Sequence, residues 1–241
     1  MPPFALHRLP CLRKAAHPWL SPCTPELTRH ALSFCGFKPQ DKILDVGCGT
    51  GSTLRLLTRE FSLTGVGLDM GLDYLEQARA QDPGLFLIQA NARRILPIKA
   101  NSLKGVLCQC VLSLIEDPEK ALLEFHRVLK PTGFLLIMDL HLDNPGPEIK
   151  NLSLQCCFTR AVTPQNGQER LRKTGFELVR YEDHSRLLAE LGARLIFECG
   201  SMNAFWDLAL SNEEPKAKDQ IKKAKPGFHL MIAKPVTKPR G

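Results

Sequence analysis

The chain lacks any long apolar run. Its longest apolar tract, residues 187–210, is interrupted by Glu190, Arg194, Glu198 and Asp207, so nothing reaches the roughly 18 residues an apolar membrane helix requires. Residues 1–20 hold no apolar stretch of the length found in a secretory leader. They carry Pro2, Pro3, Pro10 and Pro18 among scattered basic residues, which argues against such a leader. There is no C-x-x-C pair, which removes the usual zinc pattern. The Lys-rich stretch 216–225 contains no aromatic residue and offers no stacking platform for single-stranded nucleic acid. No internal repeat is present.

What is there reads as a globular enzyme-sized domain. The 241 residues are 44% hydrophobic and 24% charged, enough to bury a full core and incompatible with wholesale disorder. The net charge of +7 raises the question of a nucleic-acid surface, but its distribution weakens that reading. Residues 1–20 carry Arg8, Arg13 and Lys14 with no acid, and residues 213–241 carry eight basic residues against three acids. The body between these basic flanks is close to neutral. Nine cysteines are an odd count in a chain too large to need a disulfide scaffold. The expectation is a cytoplasmic protein with reduced thiols, a loosely ordered basic extension over 1–20, and one domain over 21–241.

The middle of the chain alternates short apolar runs with longer amphipathic ones. Strands are expected at residues 42–46, 64–68, 85–88, 105–108 and 134–138, and helices at 52–60, 71–81 and 116–129. Continuous apolar strands alternating with helices specify a parallel sheet covered on both faces, and right-handed crossovers then give a doubly wound α/β fold. Residues 141–162 read as irregular. A short helix follows from Thr163-Pro164 to Gly175, then a sixth strand at 176–181, a long helical stretch at about 186–210, a polar segment to Pro226, and a last strand at 228–233.

The sharpest motif is Asp45-Val46-Gly47-Cys48-Gly49-Thr50-Gly51, placed between a strand and a helix. Glycines there permit a tight turn and close approach of a ligand. The third glycine of a dinucleotide fingerprint would fall at Ser52, so the spacing departs from that motif. A carboxylate at Asp45 would repel a pyrophosphate and suits a ligand with an ammonium end. Asp69 ends the second strand, where an acid accepts hydrogen bonds from ribose hydroxyls. Beside it, Met70 offers a soft surface for an adenine face. Asn91, in Gln89-Ala90-Asn91-Ala92 after the third strand, can hydrogen-bond an adenine edge.

This order of elements resembles the class I S-adenosylmethionine-dependent methyltransferases, especially the small-molecule branch. Asp45 to Gly51 resembles their first motif, Asp69 the acid after the second strand, and Ala90-Asn91-Ala92 the adenine-contacting turn, where Asp is usual. Leu107-Cys108-Gln109-Cys110-Val111-Leu112 is similar to the fourth-strand motif, and Arg127 to Gly133 to the segment before the fifth strand. The resemblance implies a mostly parallel seven-stranded sheet, Rossmann-like, with an antiparallel last strand and a helical insert at about 186–226 on the substrate side. It implies S-adenosyl-L-methionine as cofactor, held by Asp45, Gly47, Cys48, Gly49, Gly51, Asp69, Met70, Asn91, Ala92 and Cys108. The expected activity is methyl transfer to a small-molecule acceptor by in-line displacement.

Two alternatives stand beside it. One is an RNA or protein methyltransferase using the basic termini, disfavoured because Cys108-Gln109-Cys110-Val111 replaces the N/D-P-P-[YF] motif that base-amino methylation tends to use. The other is a thiol-assisted metalloid methyltransferase, suggested by Cys108, Cys110, Cys156, Cys157 and Cys199 and set against the ordinary role of buried cysteine as a small apolar residue. Asp139 and His141 end the fifth strand at the carboxyl edge where open sheets bind ligands, so they and Cys110 are the candidate catalytic residues. No partner beyond a small-molecule substrate is expected, neither nucleic acid nor membrane.

Overall fold

Apolar residues alternate along the central strands and so feed two cores, one on each face of a sheet. In a computed structural model that describes residues 4–6, 9–16, 21–150, 154–210 and 217–236, Ile43, Leu107, Leu136 and Met138 face one cluster, while Leu44, Val46, Val106, Cys108, Leu135 and Ile137 face the other. This is the period-two consequence of pleating.

Seven strands form the main sheet: β2 (Lys42–Val46), β3 (Thr64–Asp69), β4 (Phe86–Gln89), β5 (Leu103–Gln109), β6 (Leu129–Leu142), β8 (Phe176–Asp183) and β9 (Pro226–Pro235). Their order is β4-β3-β2-β5-β6-β9-β8. The pairs from β4 to β6 are parallel, whereas β9 runs antiparallel to both β6 and β8. The doubly wound, mostly parallel sheet with an antiparallel last strand is thus as expected. The last strand in sequence is not at the edge. It inserts between β6 and β8, because β9 is the more apolar of the two and is buried nearly throughout, while β8 alternates and suits an edge.

Helices α3 (Ser52–Phe61), α4 (Leu72–Gln81), α5 (Pro118–Val128) and α7 (Pro164–Lys173) lie close to their expected limits. Two helix starts share one device. Asp117 and Thr163 each accept a hydrogen bond from the backbone three residues on, and each is followed by proline in the first turn, where its missing N–H costs nothing.

Helix α2 (Pro25–Ser33), unforeseen in the sequence, begins the same way at Thr24-Pro25. The expected turn at 130–133 is instead part of β6, which starts at Leu129 with a register shift against β5. Residues 141–162, expected to be irregular, include the end of β6, the short helix α6 (Pro147–Lys150) and β7 (Leu154–Gln155), which pairs in parallel with β1 (Phe4–Ala5).

The start of the chain also departs from expectation. Residues Pro10–Ala16 form helix α1, with Ala15 and Ala16 buried. Pro10 does not spoil it, since it occupies the first helical position. Helix α1 packs on α8 (Ser185–Cys199). The long helical stretch is in fact α8 and α9 (Met202–Ala209), broken at Gly200, whose φ is 84°. Helix α10 (Ala217–Lys223) follows; residues 211–216 of the expected polar segment lie outside the described residues. Among the described residues no helix is long and apolar enough to cross a membrane.

Candidate active site

The chain steps outward from β2 to β3 and β4, then returns to place β5 on the other side of β2. Ligands in open α/β sheets bind at such a reversal, beyond the carboxyl ends of the strands. A cavity of about 1080 Å³ opens there, large enough for a nucleoside-sized ligand and a second molecule.

One wall is the turn after β2. Gly47, Gly49 and Gly51 adopt φ of 69°, 52° and 79°, a region closed to most side chains. Gly47 is the most constrained, since a Cβ there would lie 2.3 Å from Cγ2 of Val111. Its N–H and that of Cys48 donate to the Leu68 carbonyl at 2.7 and 3.1 Å, tying the turn to β3. Asp69, at the end of β3, accepts from the Gly49 N–H at 2.9 Å and from the Gly71 N–H at 2.8 Å. A carboxylate has about four lone-pair positions, so Asp69 can hold the turn and still accept from a ligand.

Asp45 lines the same cavity and is 2% exposed, and its Oδ2 has no hydrogen-bond partner. Burial, reinforced by the nearby Asp69 charge, pushes its pKa up to about 8. An unpaired buried carboxylate is costly, and a cationic donor arriving from the cavity would satisfy it. This is the chemistry that the ammonium end of S-adenosylmethionine supplies, so the residues present fit that cofactor.

Of the other predicted cofactor residues, Cys48, Met70, Asn91 and Ala92 line the cavity. Met70 is 65% exposed, a free apolar surface. The Asn91 Oδ1 already accepts from the Arg93 N–H at 2.9 Å, so its amide NH₂ is the donor it has for a base edge. Two of the expected cofactor residues do not line the cavity. Cys108 is fully buried in the core. Gly51 serves as the left-handed cap of α3, and a Cβ there would meet Leu85 Cδ1 at 2.8 Å; it too is absent from the cavity wall.

The catalytic candidates divide more sharply. Cys110 lines the cavity. Asp139 does not: its oxygens accept from the Ser113 hydroxyl at 2.6 Å and from the backbone N–H groups of Ser113 and Leu140 at 2.9 and 2.8 Å. It anchors the turn after β5. Burial raises its pKa to about 6 in spite of those donors. His141 also does not line the cavity. It is 3% exposed, stacks on His229 with ring centroids 5.4 Å apart, and its Nδ1 lies 3.3 Å from that of His229. Burial lowers its pKa. Neither residue is placed to touch a substrate in the cavity.

Sequence reasoning missed Gln109. It lies on the cavity floor, where its Oε1 accepts from the Thr53 hydroxyl at 2.8 Å and its Nε2 donates to Thr28 Oγ1 at 3.0 Å. Its only signal was its place between two cysteines at the strand end. The second wall comes from the helical insert: Leu191 and Leu195 of α8, Phe205 and Trp206 of α9, and Ile221 of α10, joined by Leu6 and Leu12 from the start of the chain.

Residues 44–137 match the family described as "Methyltransferase domain". The match spans Asp45, the glycine turn and Asp69, the same wall the geometry singles out. Over those residues the chain is similar to that family. The 2-phytyl-1,4-naphtoquinone methyltransferase of Nostoc sp. is 35% identical over 122 residues, covering 47% of this chain and 53% of that protein. The chain spans about half the length, or less, of curated relatives it matches.

Among solved structures, phosphoethanolamine N-methyltransferase 2 of Haemonchus contortus in complex with S-adenosyl-L-methionine superposes with a TM-score of 0.75 at 20% identity, covering 94% of this chain and 56% of that one. The [4+2]-cyclase SpnF superposes with a TM-score of 0.68 at 23% identity, covering 88% and 81%. At such identities the likeness is one of fold. A cyclase among the neighbours illustrates why the reaction of this chain must be read from its own site.

Proposed function

We propose that the chain is an S-adenosylmethionine-dependent methyltransferase acting on a small-molecule acceptor. The observation that supports it most is the unpaired, buried Asp45 carboxylate beside a glycine turn and within reach of the Asp69 charge. When bound, the cofactor supplies a methyl group already activated on a sulfonium. Asp45 takes the ammonium end, Asp69 takes ribose hydroxyls while holding Gly49 and Gly71, Met70 covers the adenine face, and the Asn91 amide donates to its edge. The apolar second wall orients the acceptor and excludes water, which supplies much of the acceleration for a preactivated methyl donor. No general base is assigned, since neither Asp139 nor His141 lines the cavity.

A concave, largely apolar second wall favours a small acceptor over RNA or a protein surface, as does the small-molecule substrate named for the Nostoc relative. Titration calorimetry with S-adenosylmethionine tests the cofactor, with one site expected; absence of binding to the unmutated chain removes the reading. A salt series with RNA tests the acceptor class. Micromolar binding with a steep salt slope would transfer the assignment to nucleic acid.

A further inference from the structure

We propose that Cys110 and Cys157 form a binding site for one thiophilic metal or metalloid ion on the cavity wall. Two distant stretches of chain converge there: Cys110 follows β5 and Cys157 follows β7. The Cys110 and Cys157 sulfurs and a carboxylate oxygen of Asp139 all lie within 4.8 Å of one another. The Cys157 thiol donates to the Cys110 carbonyl at 3.3 Å.

Cys35 and Cys108 behave as small core residues, buried and with thiol pKa raised chiefly by burial. Cys110 and Cys157 differ, because both are partly exposed and line the cavity. Cys110 also holds a φ of 53°, a left-handed conformation that a non-glycine side chain rarely adopts and that marks functional sites when it persists.

The donor chemistry selects the ligand class. Two sulfurs without an imidazole favour a soft ion over magnesium or calcium. On binding, each participating thiol releases its proton to solvent and forms one sulfur–ion bond, and no electrons are transferred. The site stands on the positions of the sulfurs and does not depend on the acceptor reading above.

Cadmium(II) is the probe, added to the reduced full chain in thiol-free buffer. One equivalent is expected to bind with a thiolate-to-metal charge-transfer band in the ultraviolet. Mass spectrometry is expected to show Cys110 and Cys157 protected from iodoacetamide in the unmutated chain. The double variant C110S/C157S should lose the band and bind cadmium at least about a hundredfold more weakly. Absence of the band, protection confined to the separate Cys11 and Cys199 thiols, or a band that survives in the double variant would overturn the site. Calorimetry with S-adenosylmethionine on the same sample separates the two readings: cofactor binding without cadmium binding removes only the thiol site.

Discussion

The two walls of the cavity are built in different ways. The glycine wall is local: Asp45, Gly47, Gly49 and Asp69 lie within two adjacent parallel strands and the turns that leave them, and their hydrogen bonds run between neighbours such as Gly49 and Asp69. The helical wall is assembled from Leu6 and Leu12 at the start of the chain and from α8, α9 and α10 near its end. The first has a polar atom waiting for a partner; the second offers apolar surface. A wall of the first kind suits recognition of one fixed ligand. A wall of the second kind can change its preference by changing side-chain volume, because an apolar pocket discriminates weakly per methylene.

The acids at the ends of β2 and β6 sharpen the contrast. Asp45 is left short of a donor, whereas Asp139 receives three hydrogen bonds. Both are buried, yet the pKa rises to about 8 for the first and about 6 for the second. Donors to the carboxylate offset desolvation where they exist. The buried acid that looks like a general base by position is the satisfied one, and the acid prepared for a ligand is the other.

The largest expected effect comes from closing the glycine wall. Gly47→Ala places a Cβ against Val111 in a left-handed backbone and should destabilise the fold by about 3 kcal/mol, read as a fall in melting temperature with loss of cofactor binding. Asp69→Ala should weaken S-adenosylmethionine by at least about tenfold, or roughly 1.4 kcal/mol, because it removes a ribose acceptor and releases Gly49 and Gly71. A change below about twofold would show that the wall holds without it.

The pH dependence follows from Asp45. Between the ordinary carboxylate range and about 8, the folded protein keeps a proton that the unfolded chain has released. The empty protein therefore loses stability as pH rises through that window. Binding an ammonium requires the ionised form, so affinity should fall by up to about tenfold per pH unit below 8, and Asp45→Asn should flatten that slope. Calorimetry across pH checks both.

Two smaller effects test the second wall and its surroundings. Removing residues 1–16 should lower the melting temperature, since Leu9, Ala15 and Ala16 are buried, while shifting cofactor affinity by less than about threefold. A large affinity loss would join the two walls into one cooperative unit. His141→Gln should leave cofactor affinity within about twofold, as expected for a group sharing no partner with the cavity.

Much of the glycine wall was legible because its meaning is carried by short-range chemistry. A strand can end in Asp-x-Gly-x-Gly-x-Gly only by turning sharply, and an acid 20 residues beyond Gly49 on the next parallel strand is brought beside it by the register Asp45↔Gly67. Cys108 and Gly51 lie off the cavity wall, a placement that was not legible because a motif does not state which of its residues touch a ligand.

Helix α2 was overlooked although Thr24-Pro25 is a legible start, and with it went Thr28, the partner of Gln109. Helix α1 was overlooked because prolines were weighed by number and not by position. The amino-acid sequence by itself determined the alternation of strands and helices, the two-faced core, the glycine turn and the acid that serves it. Only the tertiary structure decided that β9 enters the sheet beside β6, that His141 and Asp139 are buried off the cavity wall, and that Cys110 and Cys157 meet. Those outcomes depend on contacts between segments far apart in the chain, whose pairing is set by competition for burial across the whole domain and leaves no period or spacing behind.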